Sequence, residues 1–471
     1  MTQTDDTQSD VPAAGWRDLL GPKHLGASTV LAGGVALYAT NEFLTISLMP
    51  NAVAEIGGQR LYAWVTTVYL VASVVAATTV GSVLTRLGPR RAYLGGLGVF
   101  AVGSVWCAPA PCMEMLLLGR VVQGAAGGLL AGLGYAVINT ALPQALWTKA
   151  SALVSAMWGV GTVVGPAAGG LFAQFGSWRW AFGVLAVLTV STAALVPFAL
   201  PGPTARVDRP AADRIPVWSL ALLGAAALAI SVAGIPRNVV VTCGLLAVGV
   251  VLVVVFLVVD RRTTASVLPP MAFRPGPLKW VYLTLGVLMA ATMTDMYVPL
   301  FGQRLAHLAP VAAGFLGVSL SVGWTVGEIA SASLTKVRVI VTTVAGAPLL
   351  MAVGLAIAAA SQADDASVLL VAVWVSALLI AGTGIGVAWP HLSAWAMGSS
   401  DDPAEGRTAA AAINTVQLIC GAFGAGVAGV VVNLTDRGDA TAARWLFASM
   451  AALAALGCVA SYRASRGRSA A

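Results

Sequence analysis

The chain has 471 residues, 58% of them hydrophobic and 10% charged, where soluble domains carry roughly 25% charged residues. So few charges cannot cover a water-facing surface, which excludes a soluble protein and puts lipid around most of the outside. The formal net charge of +7 does not point to nucleic acid, because Lys and Arg fall in short patches between apolar runs, the pattern by which membrane proteins orient themselves.

The polar start of the chain, with Asp5, Asp6 and Asp10, is followed by an apolar run too long for the h-region of a signal peptide, so no cleavable leader is expected. A helix needs about 20 apolar residues to cross the hydrocarbon core. That measure predicts spans at 27–49, 61–83, 92–109, 115–138, 150–173 and 179–200, then 217–234 and 239–259, and then 279–300, 310–331, 339–360, 367–390, 406–433 and 442–462. The expected fold is all-α and polytopic, with fourteen transmembrane helices. A cytoplasmic tail, 1–26, precedes a six-helix bundle, 27–200. A cytoplasmic connector, 201–216, leads to a two-helix hairpin, 217–259, packed at the periphery. A second cytoplasmic connector, 260–278, leads to a second six-helix bundle, 279–463, and the tail 464–471.

Basic residues set the orientation. With the N-terminus in the cytoplasm, Arg86, Arg90, Arg91, Lys149, Arg206, Arg209, Arg214, Lys336 and Arg338 are inside. Only Arg60, Arg179, Arg237, Arg304, Arg437 and Arg444 are outside. Both termini are therefore expected in the cytoplasm. Cys107 and Cys112 flank a short outside loop, where a disulfide and two unpaired thiols are both open readings.

Small residues recur at helical spacing. Gly124, Gly128 and Gly132 form a ridge on the fourth span; Gly161, Gly165 and Gly169 form another on the fifth, beside Pro166 and Gly170. Such ridges let helix backbones approach closely, and Pro166 removes one backbone hydrogen bond. Both static packing and sliding fit this pattern.

Three motifs then appear in order. Gly81-Ser-Val-Leu-Thr-Arg86-Leu-Gly88-Pro-Arg90-Arg91 follows the second span and resembles motif A of the major facilitator superfamily. Arg120-Val-Val-Gln123-Gly124 resembles its motif B. Gly161-Thr-Val-Val-Gly165-Pro166-Ala-Ala-Gly169-Gly170 resembles motif C, the antiporter pattern. The chain is similar to the fourteen-span drug:proton antiporters of that family over almost its whole length. The resemblance implies the major facilitator fold, with Gly81, Arg86, Gly88 and Arg90 in a conformational switch. One departure is Thr85, where the family motif usually carries Asp. Pairing of Arg86, Arg90 or Arg91 with Asp401, Asp402 or Glu405 would replace it; for at least one of the three arginines a solvated positive-inside charge is the expected reading.

An ionisable residue deep in a span is a functional hypothesis by default. Glu42 lies in the first span with Asn41 and Thr45 near its face. Asp295 lies at a matching depth in the first span of the second bundle, and Arg120 enters the fourth span from outside at about the depth of Glu42. These three are the expected proton-coupling residues, with a static Glu42–Arg120 ion pair as the bland alternative. Asp295 reads equally as an interfacial residue, and Glu328 as a snorkelling one. Trp158, Asn414 and Gln417, with Asn41 and Thr45, are candidate lining of a substrate cavity. For each of Trp64, Trp158, Trp374 and Trp389, plain packing is the simpler reading.

The resemblance implies proton-coupled export of amphiphilic or aromatic drugs, antibiotics included, by a monomer working through alternating access. The rival is export of an endogenous lipid or metabolite. A membrane-embedded metalloenzyme would need clustered ligands, but His24, His307 and His391 are far apart. No GxxxxGK[ST] loop occurs, so no ATP-driven pump is expected. No metal and no cofactor are expected either; the partners are small amphiphiles, protons and the bilayer.

Overall fold

The computed structural model describes residues 15–202, 215–236, 238–263, 266–400, 402–435 and 438–466. The acidic residues Asp5, Asp6 and Asp10, the connector arginines Arg206, Arg209 and Arg214, Arg237, Asp401 and Arg437 lie outside them. The described chain is helical throughout. In chain order the helices are α1 Leu25–Ile56, α2 Trp64–Ala77, α3 Val80–Cys107, α4 Met113–Ala136, α5 Trp147–Phe175 and α6 Trp178–Ala199. They continue with α7 Val217–Val232, α8 Val239–Arg262, α9 Leu278–Thr292, α10 Val298–Ala306, α11 Pro310–Ala332, α12 Val337–Ala360, α13 Val368–Met397, α14 Pro403–Asn433 and α15 Asp439–Arg466.

Eleven helical stretches among the described residues are long and apolar enough to cross a membrane. The expected spans outside that number are 27–49, in a helix that carries Asn41 and Glu42; 92–109, in a helix that begins with the basic motif; and 217–234, whose helix α7 has only 16 residues.

Local chemistry explains the breaks. The second and third spans are joined without a loop: α3 is two helices meeting at Gly88, whose φ of 74° and ψ of 169° suit glycine alone. Pro89 then starts the next helix, where its missing N–H costs nothing. Asn238 caps α8 by accepting hydrogen bonds from the N–H groups of Val240 and Val241. The expected span 279–300 is not continuous. It is α9, a 3₁₀ segment Met293–Tyr297 and α10, with Pro299 in the first turn of α10. A break at membrane depth is tolerated where the backbone lines a cavity or is buried in protein.

The packing repeats. In the first six helices α1 packs on α5, α2 on α4 and α3 on α6. In the second set, α9 to α15, the corresponding partners are α9 with α14, α11 with α13 and α12 with α15. The two sets meet along two seams, α5 against α11 and α2 against α14. The inserted pair is not simply peripheral: α7 sits on the second seam, touching both α2 and α14, while α8 packs on α7 and presents Val240, Val250, Val251 and Val254 outward. Trp64 Nε1 donates to the Ser231 carbonyl at 3.2 Å, tying α7 to α2.

The glycine ridges are contact surfaces. Side chains added at Gly124 and Gly128 would run into the backbone of Tyr69 and Ser73 on α2. Gly161, Gly165 and Gly169 lie as close to Ala39, Phe43 and Leu44 on α1. Sequence reasoning missed an equivalent joint in the second set, where Gly323 and Gly327 on α11 lie against the backbone of Leu379 and Thr383 on α13, and Gly382 and Gly386 on α13 against the backbone of Leu320 and Trp324 on α11; the four-residue spacing was the available signal.

Candidate functional site

Between the two sets lies a cavity of about 1260 Å³. It opens at the end of the molecule where Pro216 and residues 266–270 lie, and both sets line it. From the first come Glu42 on α1, Tyr135 on α4 and Ser155, Trp158 and Thr162 on α5. From the second come Thr292, Asp295, Trp324, Glu328, Trp389, Asn414 and Gln417. The opposite end is shut. There Tyr62 stacks on Tyr297 with ring centroids 4.9 Å apart, and its hydroxyl donates to the Met296 carbonyl at 3.1 Å. Arg304 donates to Gln59 Oε1 at 3.2 Å, and Asn433 donates to the Arg60 carbonyl at 2.8 Å. Gly170 packs on Val311 and Gly314 on Pro166, so two of the five motif C residues, Pro166 and Gly170, face across the seam while the glycine ridge itself faces α1.

The structure gathers five of the expected residues, Glu42, Asp295, Trp158, Asn414 and Gln417, on one cavity wall system. Asp295 belongs to the 3₁₀ break, and its Oδ1 is buried with no hydrogen-bond partner among the described residues. It lines the cavity together with Glu42. Glu328 likewise lines the cavity. Trp158 and Trp389 line it too, whereas Trp64 and Trp374 are packing residues that donate to the carbonyls of Ser231 and Ser361. Trp324, absent from the sequence expectations, lies 5.1 Å from Trp389 between ring centroids; its place one turn before Glu328 was a readable signal.

Asn41 and Thr45 are fully buried beside Glu42 but do not line the cavity; Thr45 Oγ1 donates to the Asn41 carbonyl at 2.7 Å. Arg120 is also set back. It is 1% exposed, and its guanidinium lies 4.1 Å from the Tyr69 ring centroid. Arg120 donates from Nε to the Val65 carbonyl at 3.3 Å and from a terminal nitrogen to Gln123 Oε1 at 2.9 Å. Gln123 passes the connection on to Ser104 Oγ at 2.9 Å. The ion pairs among the described residues do not include one between Glu42 and Arg120. Beyond Arg120 the contacts are between rings: Tyr69 stacks on Tyr38 at 5.6 Å, and Tyr38 meets Trp158 edge-on at 5.4 Å. The chain Arg120–Tyr69–Tyr38–Trp158 links the buried cation to the cavity wall.

At the open end, Thr85 returns its hydroxyl to the Gly81 carbonyl at 2.8 Å, as a helical threonine does. Glu405 lies 3.9 Å from Arg274 and accepts from Ser400 at 2.7 Å, which gives it partners other than the motif A arginines. Arg90 reaches toward Gly202. Cys107 and Cys112 are unpaired thiols.

Residues 31–425 match the Major Facilitator Superfamily. The chain belongs to that family. A major facilitator protein is a multi-pass membrane transporter and not an enzyme, as the sequence led us to expect. A "Probable multidrug-efflux transporter" of Mycobacterium tuberculosis is 62% identical over 463 residues, 98% of each chain. A multidrug transporter protein of Bacillus subtilis is 25% identical over 408 residues, 83% of this chain and 73% of that one. Among solved structures, a bacterial homolog of the human lysosomal transporter Spinster, inward-facing and unoccupied, superposes with a TM-score of 0.65 at 12% identity, covering 96% of this chain and 98% of that one. At that identity the likeness concerns the fold.

Proposed function

We propose that this chain exports amphiphilic and aromatic drugs from the cell in exchange for protons. The observation that carries the reading is the placement of Glu42 and Asp295 on the walls of a cavity that is open at one end and latched at the other. A carboxylate at membrane depth is tolerated when it is hydrated by a cavity, paired, or protonated for part of a cycle. A proton and a cationic substrate then compete for the same charge: loading one favours release of the other. Trp158, Trp324 and Trp389 offer flat apolar faces for aromatic compounds and π-faces for cations. The 62% identical relative named as a multidrug-efflux transporter supports the same cargo class.

In this reading the chain crosses the membrane fourteen times with both ends in the cytoplasm, so the cavity faces inward, and the protein works as a monomer. Residues 27–200 rock against 279–463. The α5–α11 and α2–α14 seams act as hinges, and the Gly81–Arg90 turn resets the cytoplasmic end. Reporter fusions after residues 202 and 266 should both score cytoplasmic; a periplasmic score for the second removes one inserted span. For the transport step, purified protein in liposomes with an imposed pH gradient should move a cationic dye uphill, and a protonophore should abolish that movement. Movement indifferent to the protonophore would remove proton exchange, and movement of lipids alone would favour the endogenous-lipid rival.

A further inference from the structure

Asp260 sits in the last turn of α8 and is 1% exposed. The helix does not call for it, since a negative charge near a helix C-terminus opposes the dipole. Its carboxylate turns away from the helix to the segment beyond. The Val267 N–H donates to Oδ1 at 2.7 Å and the Leu268 N–H donates to Oδ2 at 2.9 Å. Both oxygens are engaged on consecutive amides, in hydrogen bonds strengthened by the charge. The held segment is folded: Val267, Leu268 and Met271 pack against the core, Ala272 is buried, and Pro270–Phe273 form a 3₁₀ turn. Pro269 and Pro270 restrict its backbone further.

That same segment is part of the cavity wall. Ser266, Val267, Pro269 and Pro270 line the mouth, beside Pro216 at the start of α7. The inserted hairpin therefore contributes to the site from both of its ends. None of these side chains is charged, so what the segment offers a passing molecule is shape.

We propose that residues 266–270 are a fixed lip on the substrate cavity, held in place by Asp260, and that this lip limits the size of the compounds admitted. The inference rests on reading the cavity as the substrate site. Asp260 is a positioning residue in it. Asp260→Asn sets an amide N–H₂ against a backbone N–H donor and frees one of the two amides. Val267→Trp has the opposite effect, filling the mouth.

The test uses the full chain and two permanently cationic dyes, ethidium and the bulkier rhodamine 6G. Export is measured in liposomes under a pH gradient and equilibrium binding is measured in detergent. For D260N the rhodamine-to-ethidium ratio of kcat/KM should rise several-fold with ethidium export retained. For V267W the ratio should fall several-fold. Hydrogen exchange at the amides of Val267 and Leu268 should quicken in D260N. A ratio unchanged in both variants, or both dyes lost in parallel, overturns the lip; unchanged exchange at the two amides overturns the tether. If the unsubstituted protein exports neither dye, the exporter reading fails, and the binding ratio still judges the lip.

Discussion

Glu42 and Asp295 come from equivalent first helices of the two sets, yet the chain holds them differently. Glu42 sits on an unbroken helix with buried Asn41 and Thr45 behind it, whereas Asp295 sits where the helix tightens into 3₁₀ geometry and leaves one oxygen unpartnered. Glu42→Gln keeps size and hydrogen bonding but removes the titration. Export driven by a pH gradient should fall about tenfold or more, equivalent to at least about 1.4 kcal/mol of lost coupling, and dye binding should lose its pH dependence. The sign is fixed by competition: acidification protonates the site and weakens cation binding in the native protein, and the amide is blind to pH. Normal gradient-driven export by Glu42→Gln with failure of Asp295→Asn would move the proton site to Asp295. Both acids were legible in the sequence because a charge in an apolar run is rare and costly. The position of Arg120 was not, because nothing in a linear pattern tells that its guanidinium will lie over Tyr69 of α2, which in turn stacks on Tyr38 of α1.

At the scale of helices, the joint between α1 and α5 carries Glu42. A side chain at Gly165 would meet Phe43 Cβ at 2.6 Å, next to the carboxylate. Gly165→Leu should insert normally but lose transport, since overpacking costs roughly 1–3 kcal/mol and the helix yields by moving. Gly98, which has nothing within 4 Å of an added Cβ, is the control: Gly98→Leu should export at near the native rate, measured in the same liposomes. At Gly88 the constraint is conformational, and Gly88→Ala should destabilise the fold by roughly 1–3 kcal/mol, read as a lowered Tm in detergent. Helix existence was readable from apolar length, because lipid demands it. The internal break of the seventh core span was not read, although Pro299 marked it: the proline was placed at a helix end when it sits two residues after the 3₁₀ segment. The inserted pair was recognisable as helices, but its position on the α2–α14 seam depends on contacts with side chains far away in sequence, such as Trp64 with Ser231.

For the whole molecule, the latched end defines which motion is left. Opening it requires parting Tyr62 from Tyr297, Gln59 from Arg304 and Arg60 from Asn433. A chain carrying Gln59→Cys and Arg304→Cys, bridged by a short reducible thiol cross-linker, should keep dye binding from the open side and lose export. A reductant should restore it. Undiminished export with the bridge in place would mean that this end does not part. The cavity behind that latch also has spare room. Sites for drug-sized ligands occupy roughly 300–1000 Å³, and this one measures about 1260 Å³. If this cavity takes the proposed cargo, a drug-sized guest against the tryptophans would leave part of the space to water, and that water would keep solvating Glu42 and Asp295. Guests of different outline would then displace different amounts of solvent from the same room, without any of them having to fit it, and tolerance of many cargoes would follow from the size of the cavity.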